Sequence, residues 1–162
     1  MWGKTAIPDS SDVRLEQGVK RHLVGLRRTV KMAEAPSVCP QIWAEFVPSV
    51  PLPGQSEPVM YGLNDAMDMQ SGAWDYMVAV EVGTPNEGDG HDHLVVEPSK
   101  YAVLTHNGPA SALGQSYQWF YETWLPASGE ELSMAPSYER YGPGYDPETM
   151  SGDTELWFPL KS

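Results

Sequence analysis

Glu139 is the residue whose surroundings in the sequence could do chemistry. It lies in Pro136-Ser137-Tyr138-Glu139-Arg140-Tyr141. As a strand, this run sends Ser137, Glu139 and Tyr141 to one face and Tyr138 and Arg140 to the other. A carboxylate half-buried among aromatic rings is costly unless something compensates its charge. An organic cation would do so, and each Tyr or Trp face would add cation–π attraction of roughly 0.5–2 kcal/mol. The pattern alone also allows a Glu139 on a solvated face, or one paired with a neighbouring Arg or Lys.

Two tryptophans stand out by position. Trp119 is off the apolar stripe of its helix, and Trp43 is off the centre of its own. An off-stripe Trp flanks the core, where it lines a groove or a partner surface, or folds back over a loop. His91 and His93, with Asp89 and Asp92, have the residue types of a metal site. They sit in a Gly-rich loop that offers no scaffold to fix coordination geometry, so a solvated loop and no metal or cofactor is the expectation. His106 precedes the Asn107-Gly108 turn signal. Cys39 is an isolated thiol near a helix start. No Ser or Cys stands in a nucleophile motif, and there is no phosphate loop or dinucleotide fingerprint.

The whole chain sets limits on these groups. Its 162 residues suit one domain that needs no disulfide or metal staple. Six Trp and eight Tyr against three Phe favour half-wet surfaces such as ligand clefts. A formal charge of −12 repels phosphate backbones and attracts cations, so nucleic acid is not an expected direct partner. The single cysteine fits a reducing compartment, and no apolar run approaches the roughly 18 residues a membrane span requires. A soluble, cytoplasmic protein without a membrane partner is expected.

Residues 1–18 read as a polar arm. From there the pattern predicts a strand over 19–30, a helix over 37–47 capped by Ser37, and strands over 59–63 and 74–82. The helix carries the stripe Val38, Ile42, Phe46 and is stopped by Pro48; Trp74, Tyr76, Val78, Val80 and Val82 alternate in the last strand. A loop is expected over 83–98. The order then recurs: a strand over 101–105, a helix over 110–125 ended by Pro126, and strands over 137–141 and 155–160. The fold class is therefore α+β. Two strand-helix-strand-strand repeats, about 19–83 and 99–162 of a domain spanning 19–162, form one antiparallel-rich sheet with two helices. A cleft between the halves is the natural place for a ligand.

Several of these runs resemble GyrI-like domains, the effector-binding type found in AraC-class regulators. The resemblance rests on the strand and turn Tyr101-Ala102-Val103-Leu104-Thr105-His106-Asn107-Gly108, and on Tyr117 through Trp124-Leu125-Pro126-Ala127-Ser128-Gly129. It also rests on the strand around Glu139, on Trp157-Phe158-Pro159-Leu160-Lys161, and in the first half on Ile42-Trp43-Ala44-Glu45-Phe46, Tyr61-Gly62, Tyr76 and Glu81-Val82-Gly83. It implies a pseudo-two-fold domain in which Glu139 lies at the pocket base and meets a ligand's positive charge, with Trp43, Tyr76, Trp119 and Tyr141 as wall. The ligand it implies is a lipophilic, drug-like cation. With about 18 residues ahead of the domain, the expectation is a free-standing sensor or sequestering protein like those of integron cassettes, without its own DNA-binding domain. A homodimer or a regulatory protein partner stays open. The family also contains hydrolases of electrophilic small molecules, in which a pocket Glu would act on water, and gyrase modulators. Binding rather than turnover is the expectation.

Overall fold

The computed structural model describes residues 8–68, 70–83, 90–142, 145–146, 149 and 151–162. In chain order the elements are β1 (Val13–Gln17), β2 (Arg21–Lys31), α1 (Ala35–Phe46), β3 (Met60–Asp68), β4 (Ala73–Val82), β5 (Asp92–Val96), β6 (Lys100–Pro109), α2 (Leu113–Trp119), α3 (Leu125–Ser128), β7 (Ser137–Tyr141) and β8 (Ser151–Leu160). Between α2 and α3 the helix continues as a π-helical turn, Phe120–Trp124. The α+β repeats are present: β2-α1-β3-β4 and β6-α2-β7-β8.

All eight strands join one antiparallel sheet in the order β1-β6-β8-β7-β3-β4-β2-β5. The halves meet where β3 pairs with β7, with Gly62 opposite Glu139. β1 and β2 are six strand spacings apart, about 29 Å in a flat sheet. Only residues 18–20 connect them, a reach of about 14 Å. The sheet must therefore roll until its edges approach. This linker meets the β5–β6 connection, residues 97–99, where Gly18 N–H donates to the Ser99 carbonyl at 2.7 Å. The rolled sheet encloses Leu23, Tyr61, Leu63, Met77, Tyr101, Val103, Tyr138 and Trp157, drawn from both halves. On its other face α1 covers β2 and β4 through Ile42 and Phe46, and Phe120 covers β6 and β8. The central strands β3 and β7 run between these two covered regions.

Two elements differ from the sequence reading. The arm expected over 1–18 contains β1, paired with β6 from Val13 opposite Leu104 to Gln17 opposite Lys100. The loop expected over 83–98 contains β5, which pairs with β2. Both are short edge strands, and their pairing partners lie about eighty residues away in the chain, so no local pattern reveals them. The second helix also runs past Pro126 and ends at Gly129, whose φ of 77° is the left-handed conformation that terminates helices. The first begins at Ala35, with Pro36 in its first turn, and Ser37 donates to the Glu34 carbonyl rather than capping the helix. Among the described residues no helix is long and apolar enough to cross a membrane.

Gly25 marks the tightest approach in the sheet. A β-carbon there would lie 1.8 Å from the Val78 carbonyl oxygen and 2.7 Å from Ala79 Cα. Gly25→Ala is expected to cost about 3 kcal/mol or more. A wild-type midpoint in urea unfolding would contradict this.

Candidate functional site

The cross-strand pair Gly62–Glu139 is the centre of the site. Alternation along β7 points Glu139 to the helix-covered face, between α1 and α2. There it meets rings from four elements. Tyr117 of α2 donates its hydroxyl to the carboxylate at 2.6 Å, and Tyr141, two residues along β7, donates to the other oxygen. Trp43 of α1 donates its indole N–H to the hydroxyl of Tyr76 on β4 at 2.7 Å. The Trp43 ring meets Tyr141 edge-on at 5.2 Å between centroids, and Tyr145 lies against Tyr141 at 4.9 Å.

Gly62 lets its neighbours pack close against the floor. A β-carbon on it would stand 3.0 Å from the Tyr76 hydroxyl, 3.4 Å from the Trp43 ring and 3.7 Å from a Glu139 oxygen. Those three groups therefore converge above one glycine. Glu139, Trp43, Tyr117 and Tyr141 keep partial contact with solvent, whereas Tyr76 is buried.

The electrostatics follow from this enclosure. Burial pushes the Glu139 carboxyl above its ordinary range; hydrogen bonds from Tyr117 and Tyr141, and the nearby His106, pull partly in the other direction. Burial, and then the Glu139 charge, raise Tyr117, Tyr141 and Tyr76, so these phenols stay protonated and can only donate to the carboxylate. Among the described residues Glu139 makes no ion pair with a Lys or Arg. Its neighbour Arg140 points to the other face and binds Glu57, Glu155 and the Tyr61 hydroxyl.

A group whose pKa is raised by folding favours the native state most below its unfolded pKa. It loses that contribution as pH rises through the folded pKa. Ionised Glu139 is thus a destabilising element at neutral pH, moderated by two phenol donors. Tyr117→Phe removes one of them, a hydrogen bond to a charged group worth about 1.5–3 kcal/mol. The fall in Tm between pH 5 and pH 7.5 should therefore be steeper in Tyr117→Phe than in the wild type. Parallel profiles would show that the Tyr117 hydroxyl does not support the ionised carboxylate.

Of the sequence-derived candidates, Glu139, Trp43, Tyr76 and Tyr141 come together and Trp119 does not. Trp119 lines a separate cavity of about 400 Å³ with Pro8, Thr123, Trp124 and Ala127. An off-stripe Trp flanks its helix on either side, and the wheel does not say which. The sequence reading left out Tyr117, Gly62 and Tyr145 as members of the cluster. Tyr117 had a signal, since a hydroxyl on an apolar helix stripe needs a polar partner in the core. Gly62 had one as well, as a lone glycine inside a strand pattern often marks a close approach. Tyr145, in the β7–β8 connection, had none.

His91 packs edge-on against Phe46, and His93 lies exposed on β5. Asp89 lies outside the described residues, and among those described no group of three His, Cys, Asp or Glu could hold a metal. His106 is buried, with Nδ1 2.8 Å from the Ser116 hydroxyl and Nε2 donating to the Pro109 carbonyl at 3.0 Å. Cys39, one helical turn before Trp43, has its thiol pushed up by burial and by the Glu139 charge.

Comparison with known proteins agrees with this architecture. Residues 11–161 match the family described as the GyrI-like small molecule binding domain. The chain is 29% identical over 125 residues to the transcriptional regulator BrlR of Pseudomonas aeruginosa, across 74% of this chain and 45% of that protein. It thus spans less than half the length of that relative. Among solved structures, SAV2435 bound to tetraphenylphosphonium superposes with a TM-score of 0.74 at 21% identity, covering 93% of this chain and 94% of that one. An integron cassette protein from the mobile metagenome of Vibrio cholerae gives 0.70 at 12% identity, covering 93% and 97%.

Proposed function

The chain belongs to the GyrI-like small-molecule-binding domain family, and from that premise we propose that it takes a lipophilic organic cation whose charge rests against the Glu139 carboxylate. One observation carries this reading: a carboxylate enclosed by rings, given only neutral hydrogen-bond donors, and without an ion pair to a Lys or Arg among the described residues. The chain places a negative charge in a costly position and compensates it incompletely. A cation with apolar substituents would supply the missing charge. Trp43, Tyr76, Tyr117 and Tyr141 would present rings to it. The tetraphenylphosphonium held by SAV2435 is a ligand of this chemistry. The acidic surface would draw such cations inward. The role is that of a cytosolic sensor or sequestering domain that needs no direct contact with nucleic acid.

Binding requires ionised Glu139. Affinity for tetraphenylphosphonium should therefore fall as pH drops through its raised pKa, while a neutral analogue such as triphenylphosphine oxide shows no such dependence. Titration calorimetry at a series of pH values reads this. An affinity for the cation that does not change with pH would remove the carboxylate from the account, and absence of binding at every pH would remove the reading itself.

A further inference from the structure

The opposite face of β3 and β7 carries a second cage of the same chemistry, and the chain itself fills it. Arg21, the first residue of β2, extends over the enclosed face of the sheet, where its side chain is 14% exposed. Its guanidinium carbon lies 5.7 Å from the Tyr61 ring centre and 5.6 Å from that of Trp157. It donates to the Tyr61 hydroxyl at 3.2 Å, to the Tyr138 hydroxyl at 3.4 Å and to the Glu81 carboxylate at 2.8 Å. Tyr61 also donates to Glu81 at 3.1 Å. The rings are mutually packed: Tyr61 on Tyr138 at 5.6 Å, and Tyr138 stacked on Trp157 at 5.3 Å. A fork of donors in one plane suits this arrangement, and a point charge does not.

The two tyrosines that Arg21 ties together are the chain neighbours of the site floor. Tyr61 precedes Gly62, Tyr138 precedes Glu139, and all four belong to the β3–β7 pairing, with Tyr61 opposite Arg140 and Leu63 opposite Tyr138. In a strand, fixing one residue's side chain on one face fixes the direction of the next on the other. We infer that Arg21 is a positioning residue: as resident cation of this second cage it locks Tyr61 and Tyr138 and thereby sets where Gly62 and Glu139 stand in the ligand site. The inference rests on the reading of Glu139 as the ligand's anchor, but its test needs no ligand.

The test uses the full chain, without ligand, as wild type, Arg21→Ala, Arg21→Lys and Lys100→Ala. The last removes an ion pair to Glu130 in the second half and serves as a control. Two quantities are measured: Tm, and the titration midpoint of the Glu139 carboxyl carbon by NMR. Arg21→Ala is expected to lower Tm by roughly 5 °C or more. Its Glu139 midpoint should move down toward an ordinary carboxylate value, because a loosened floor admits water. Loss of a distant positive charge alone would move the midpoint up, so the direction separates repositioning from simple electrostatics. Millimolar methylguanidinium should restore both quantities, and methylammonium neither. Arg21→Lys, which keeps the charge and the fold, should show the same downward shift to a smaller degree. Lys100→Ala should leave the midpoint in place. An unmoved or raised midpoint in both Arg21 variants overturns the inference, as does a Tm loss that methylguanidinium leaves unchanged. Failure of tetraphenylphosphonium to bind the wild type would overturn the functional reading and leave these measurements standing.

Discussion

Glu139→Gln is expected to weaken tetraphenylphosphonium binding about 30–100-fold, a loss of about 2–3 kcal/mol, and to stabilise the ligand-free protein at neutral pH. Both effects come from one charge. Two opposite charges about 4 Å apart at the effective dielectric of a partly open protein site attract by about 4 kcal/mol. Desolvation of the cation offsets part of that. The amide removes the attraction and keeps the shape, so a neutral isostere should bind the variant nearly as well as it binds the wild type. Equal losses for charged and neutral ligands would show that Glu139 only shapes the site. On the stability side, the wild type holds at neutral pH a carboxylate that burial pushes toward protonation. In the variant the amide can donate to one tyrosine hydroxyl and accept from the other. Its Tm should therefore exceed the wild type's at pH 7.5, and the difference should vanish or reverse near pH 4, where the wild-type carboxyl is protonated. A variant less stable than wild type at pH 7.5 would mean that the tyrosine hydrogen bonds outweigh the burial of the charge.

Gly62→Val should abolish binding of charged and neutral ligands alike, by about a hundredfold or more, through bulk rather than charge. Even a β-carbon at this position lies 3.0 Å from the Tyr76 hydroxyl and 3.4 Å from the Trp43 ring. Two further methyl carbons would push the Tyr76 hydroxyl, the Trp43 ring and the Glu139 carboxylate out of the positions from which they would meet a ligand. Valine suits a strand backbone, so the fold should survive with at most a moderate loss, on the order of 1–3 kcal/mol from overpacking. Circular dichroism separates this from unfolding. If Gly62→Val binds tetraphenylphosphonium with wild-type affinity, the ligand does not lie above Gly62. The contrast with Glu139→Gln is informative: one variant spares neutral ligands and the other does not.

The repeat order, the two helices, the strand around Glu139 and the alternation of β4 were legible because each is a local regularity. Apolar residues at helical or strand spacing announce which face will be covered, whatever covers it. By the same rule Glu139 and Tyr141 could be assigned a common face. β1 and β5 were not legible, because a five-residue edge strand with a half-exposed face carries little pattern and acquires its identity from a remote partner. The π-helical turn after Trp119 also had no local mark. It follows the helix that carries Tyr117 toward Glu139 and Trp119 toward a different cavity, and two tryptophans that looked alike on paper, Trp43 and Trp119, were separated by the packing of their helices.

The sequence by itself determined that this chain would form a two-repeat α+β domain with an acidic side chain and several Tyr and Trp residues on the strands and helices of its centre. Spacing of apolar and polar residues is a one-dimensional property, and it sets burial, periodicity and face. Only the tertiary structure decided the occupants of each face. It rolled the sheet because its short linkers demanded it, placed Gly62 opposite Glu139, brought Tyr117 rather than Trp119 to the carboxylate, and set Arg21 against the Tyr61 and Trp157 rings on the far side. Which ring meets which charge depends on contacts between residues distant in the chain, and those distances are set only when the two halves are closed on each other.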